Sequence, residues 1–138
     1  MRRYLVVANQ TLGGKHLAEK VRKCLAEGPS RFYIVVPATP RGELLTWTEG
    51  EATALAQDRL DRALARFRGL GAEVDGEVGD KDPILSIDDA LRHAEFDEII
   101  LSTLPPGISK WLKLDLPSRV AGHVNIPVTH LVSETEAA

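Results

Sequence analysis

Short apolar runs alternate with helix-length amphipathic stretches along this chain, and that alternation sets its architecture. Tyr4-Leu5-Val6-Val7-Ala8 is rich in β-branched and aromatic residues and stops at the polar Asn9-Gln10-Thr11. It reads as a strand covered on both faces. After Gly13-Gly14, the residues Leu17, Val21, Cys24 and Leu25 recur at helical spacing, with Lys20, Arg22 and Lys23 elsewhere, until Gly28-Pro29 ends the helix. Phe32 to Val36 repeats the strand pattern, and a loop is expected from Pro37 through Gly42.

The longest predicted helix runs from about Glu49 to Leu70, with Ala52, Ala56, Leu60, Ala63, Leu64 and Phe67 on its buried stripe. Ala72 to Val78 alternates polar with small or apolar residues, the pattern of an edge strand wetted on one side. Asp82 and Pro83 then open a helix that turns Ile84, Ile87 and Leu91 inward. Phe96 to Ser102 is the next strand, followed by a proline-rich loop from Thr103 to Gly107. A basic segment, Ser109 to Arg119, leads into a short helix through Val120, and Ile126 to Val132 is the last strand before a frayed tail over 133–138. Strands separated by helices imply parallel pairing through right-handed crossovers, with a ligand crevice beyond the strands' carboxyl ends where the winding reverses.

With 138 residues the chain is expected to form one domain, 1–138, around one sizeable core. A hydrophobic share of 43% and a charged share of 27% place it among soluble globular proteins. The formal charge of −3 argues against a general affinity for nucleic acid. Apolar runs fall far short of the roughly 20 residues that span a bilayer, and the polar residues after Ala8 leave no room for a signal-peptide core. A cytoplasmic location, with no membrane and no nucleic-acid partner, is the expectation. Cys24 is the only cysteine, and its helical spacing points to buried packing. His16, His93, His123 and His130 show no metal-site spacing, so no metal is predicted.

Three chemistries fail on residues. Asn9 to His16 lacks the first glycine and the closing hydroxyl of a Walker A loop. The acidic cluster and phosphoacceptor aspartate of a receiver domain are missing. Thr11-Leu12-Gly13 is similar to a flavodoxin phosphate loop, but aromatic residues are only 5% of the chain.

The stretches from Tyr4 to Thr11 and from Leu101 to Leu131 resemble the universal stress protein family, and the element order matches over nearly the whole chain. In that family the first strand typically ends in Asp-Gly-Ser, whose acid approaches adenine; the matching positions here are Asn9, Gln10 and Thr11. The fourth strand typically leads into Gly-x2-Gly-x9-Gly-Ser/Thr, a phosphate cradle; the matching positions are Leu104, Gly107, Pro117 and Ser118. The spacing is kept while the first and last glycines are replaced. Pro105, Pro106 and Pro117 remove amide donors from the loop, and Lys110, Lys113 and Arg119 offer positive charge in their place.

The resemblance implies a three-layer α/β/α fold with a five-stranded parallel sheet in the order 3-2-1-4-5, adenine nucleotide alpha hydrolase-like. It implies a site for ATP or AMP formed by Asn9, Thr11, Val36, Pro37, Gly107, Ser109, Lys110, Ser118 and Arg119. It also implies a homodimer through the last strand at Val128, His130 and Val132. Read locally, Thr11 is a cap for the following helix, Gly107 the turn after Pro105-Pro106, and Trp111 a core or subunit-contact residue. Since no nucleophile, base and oxyanion set can be named, the leading function is a nucleotide-binding regulatory or stress-response protein. The alternatives are an interaction module that keeps the fold without the nucleotide and, more weakly, a slow ATPase of the kind some relatives are thought to be.

Overall fold

The computed structural model describes residues 1–38, 49–106 and 109–133. Its elements follow the order β1 (Arg2–Val7), α1 (Lys15–Glu27), β2 (Ser30–Pro37), α2 (Glu49–Gly69), β3 (Glu73–Gly79), α3 (Pro83–His93), β4 (Glu98–Thr103), α4 (Lys110–Lys113), α5 (Leu116–His123) and β5 (Val128–Val132). The strands form one parallel sheet in the order β3-β2-β1-β4-β5. This is the three-layer arrangement expected from the sequence. β1 lies in the middle, flanked by β2 and β4, while β3 and β5 are the edges.

Alternation along each strand assigns its side chains to two cores. Tyr4, Val6, Ala8, Phe32, Ile34, Val36 and Ile100 face α1 and α2 with Leu17, Val21, Cys24, Ala56, Leu60 and Phe67. Leu5, Val7, Val35, Ile99 and Leu101 face the other side with Ile87, Ala90, Trp111, Leu116 and Val120. Central strands buried on both faces are the reason they read as continuous apolar runs. Phe32 stacks on Tyr4 at 5.2 Å and meets Phe67 edge-on at 6.0 Å, fixing the end of α2 against β1 and β2. Cys24 is buried, and burial pushes its thiol pKa up, consistent with a packing role.

Close approach of α2 to the sheet depends on one glycine. A Cβ on Gly76 would stand 2.6 Å from the Ile34 carbonyl oxygen and 2.7 Å from Leu60 Cδ1.

Three local details depart from the sequence reading. Pro37 is the last residue of β2, pairing with Gly79, rather than the first of a loop; at a strand's end its missing N–H costs little. The segment after the proline-rich loop forms two short helices, α4 and α5, instead of one. They are separated by Asp115 in the left-handed conformation, φ 54°. α1 is capped by Gly14 with no side-chain cap, so Thr11 does not cap that helix. Gly107 and residues 134–138 of the predicted tail lie outside the described residues.

Candidate functional site

β1 and β4 are neighbours, and the chain leaves them toward opposite faces, α1 to one and α4 to the other, so the winding of the sheet reverses beyond their carboxyl ends. The turn from Asn9 to Gly14 forms one wall. Backbone bonds close it, from Leu12 N–H to the Asn9 carbonyl at 3.3 Å and from Gly14 N–H to the Thr11 carbonyl at 2.8 Å. Gly14 is required for this closeness, because a Cβ there would lie 2.9 Å from the Thr11 carbonyl oxygen.

Asn9 is 8% exposed and bonded at both ends of its amide. Its Nδ2 donates to the Pro37 carbonyl at 2.8 Å, joining the ends of β1 and β2. Its Oδ1 accepts from Arg59 Nη1 at 2.6 Å. The Thr11 hydroxyl meets the Ser102 hydroxyl of β4 at 2.6 Å, with both residues 1% exposed. The turn after β1 is thereby tied to β2, to α2 and to β4. Val36 is fully buried in the core beneath Pro37.

Ser109, buried, caps α4: its Oγ accepts from Leu112 N–H at 3.1 Å, and its carbonyl accepts from Lys113 N–H at 3.2 Å. Its own N–H donates to the Pro105 carbonyl at 3.0 Å. Ser118 and Arg119 are exposed on the first turn of α5, behind Pro117. Among the described residues no hydrogen bond or ion pair links them to Asn9 or Thr11. Lys113 is exposed on α4, while the side chain of Lys110 lies outside the described residues, as Gly107 does. Trp111 is buried in the core on the α3 and α5 face.

Three contributors were not singled out by the sequence. Arg59 and Arg66 lie seven residues apart on the flank of α2's apolar stripe, and both reach the turn after β1, Arg59 at Asn9 and Arg66 at the Gly13 carbonyl. Their shared spacing from the buried Ala56 and Ala63 was the available signal. Ser102 is a polar residue directly after the apolar run Ile99 to Leu101 of β4, and that contrast was its signal.

At the far side of the site, His130 Nε2 of β5 lies 2.8 Å from the Thr103 hydroxyl of β4, and partial burial lowers the imidazole pKa. Among the described residues no group of three or more His, Cys, Asp or Glu is placed to hold a metal ion. No described helix is long and apolar enough to cross a membrane.

A parallel sheet of this order, with polar side chains gathered where its winding reverses, defines a three-layer α/β protein. Among solved structures it is the universal stress protein fold. A universal stress protein from Archaeoglobus fulgidus aligns with a TM-score of 0.61 and 18% identity, over 94% of this chain and 93% of that one. The Archaeoglobus fulgidus universal stress protein in complex with dAMP aligns with a TM-score of 0.61 and 17% identity, over 94% and 97%. A protein of the universal stress protein family from Burkholderia pseudomallei gives 0.57 and 15%, over 94% of each chain. No family model matches the sequence, and no curated protein does.

Proposed function

We propose that this chain is a nucleotide-binding regulatory or stress-response protein, acting in the cytoplasm as one domain and taking an adenine nucleotide, ATP or AMP, at the β1/β4 crevice. The observation that carries this reading is the buried Asn9 at the switch point, joined to the end of β2 through Pro37. A fold neighbour's complex with dAMP supports it. An amide side chain presents one acceptor and two donors, the complement of an adenine edge. In this reading Pro37 borders the base, with the fully buried Val36 packed behind it, and Thr11 closes the wall beside the ribose. Gly107, Ser109, Lys110, Ser118 and Arg119 serve the phosphates by amide donors and positive charge. The outer edge of β5, with Val128, His130 and Val132, pairs with a second copy.

The test is a melting titration of nucleotide-free protein with ATP and AMP. Ligand at a hundred times its dissociation constant adds about 2.7 kcal/mol, which for this length raises the melting temperature by roughly 9 °C. No shift at millimolar nucleotide overturns the reading. The second reading, an interaction module on the same fold, is favoured by the Arg59 to Asn9 bond, which fills the amide from within. A flat titration selects it.

A further inference from the structure

The turn after β1 is held from above by α2. Arg59 is half-buried beside the stripe of Ala56, Leu60 and Ala63, and reaches the buried Asn9 at 2.6 Å; one turn pair further along, Arg66 reaches the Gly13 carbonyl. At the ends of β1 and β2, three described positions offer no free backbone donor. Pro37 has no N–H, the Ala38 N–H donates to the Gly79 carbonyl at 3.2 Å, and the Ala8 N–H donates to the Val35 carbonyl at 3.4 Å. Between these strand ends the polar groups brought together are the Asn9 amide and the Pro37 carbonyl.

An adenine edge sets an amine donor beside a ring-nitrogen acceptor, and an Asn amide answers with its oxygen and its N–H. Here the amide oxygen already receives a donor, the Arg59 guanidinium, in the role the adenine amine would take. We infer that Arg59 is a built-in competitor for the base, a side chain that holds the Asn9 amide oxygen and is exchanged, donor for donor, when adenine enters. The inference rests on the nucleotide reading above. It also carries a selectivity: a 6-oxo purine such as guanine or hypoxanthine would bring its carbonyl oxygen against Asn9 Oδ1, acceptor against acceptor, and so does not displace Arg59.

The sign of the mutational effect is the discriminating feature. Removing a cation near an anionic ligand ordinarily weakens binding, whereas removing a competitor strengthens it. Arg59→Met keeps the apolar stem and deletes every donor. By calorimetry it is expected to bind AMP roughly tenfold more tightly than the parent, the factor for one lost charge-assisted hydrogen bond. Ribose 5-phosphate, which has no base, gains nothing, and Arg59→Lys stays near the parent because it keeps a charged donor. If Arg59→Met does not fold, Arg59→Gln replaces it, with a smaller gain in the same direction. AMP bound equally or more weakly by the variant overturns the inference and leaves the nucleotide reading standing. AMP binding by neither protein overturns both, and an equal gain for ribose 5-phosphate overturns the assignment to the base.

Discussion

Replacing Thr11 by valine removes one hydroxyl and almost no volume, which makes it a sharp probe of the wall between β1 and β4. Thr11 Oγ1 and Ser102 Oγ are 2.6 Å apart and each residue is 1% exposed, so water does not replace a lost partner without rearrangement. Among the described residues neither hydroxyl has another side-chain partner. Thr11→Val leaves the Ser102 hydroxyl buried and unpaired, at a cost of about 1–3 kcal/mol. Ser102→Ala strands Thr11 in the same way and at a similar cost. The double variant removes both hydroxyls together and leaves nothing unpaired, so its destabilisation falls well short of the sum. The coupling energy is expected at about 1–2 kcal/mol. Urea denaturation of the four proteins measures it, with unchanged m-values as the check that the denatured state is the same. Costs that add within about 0.3–0.5 kcal/mol would mean that the two hydroxyls do not depend on one another, and the picture of a wall pinned by this contact would fail.

Two further outcomes follow from geometry. Gly76→Ala pushes a methyl group to 2.6 Å from the Ile34 carbonyl and 2.7 Å from Leu60 Cδ1; one contact is backbone and does not yield cheaply. Thermal melting should show a loss of about 1–3 kcal/mol, and a neutral Gly76→Ala would refute the tight α2 to β3 contact. His130 is held below its ordinary pKa by partial burial, so the folded state favours the neutral ring. The corresponding stability is complete above the unfolded pKa of about 6.5 and is lost as pH falls through the lower folded value. Against His130→Gln, the parent should therefore lose stability on acidification below about pH 6.5 and match its slope above it; parallel stability curves throughout would contradict this.

Much of the layout was readable from periodicity alone. The doubly apolar runs at Tyr4 and Phe32 became central strands, and the half-polar run from Ala72 became an edge. Asp82 caps α3 as its spacing with Pro83 implied, accepting from Ile84 N–H at 2.9 Å. The order of the strands was not in the pattern and came from the family resemblance, since periodicity says which residues are buried and not which strands adjoin. The break at Asp115 was hidden because aspartate, though it enters the left-handed region more readily than most residues, does so at single positions that no periodicity marks. At the site, Asn9 and Thr11 stood out as polar residues ending an apolar strand. Their partners did not, because Arg59 lies 50 residues and Ser102 lies 91 residues away in sequence. A long-range polar contact depends on the whole fold, and no local window contains it.

The central position of β1 bears on how the molecule is made. Its register with β2, from Arg2 opposite Ser30 to Val7 opposite Val35, joins segments close in the chain, but its other flank waits for Glu98 to Leu101. Until that later stretch leaves the ribosome, the nascent chain carries an unsatisfied row of main-chain groups at what will become the heart of the sheet. Truncated products ending near residue 80 share that open flank, and self-association through it is their natural fate.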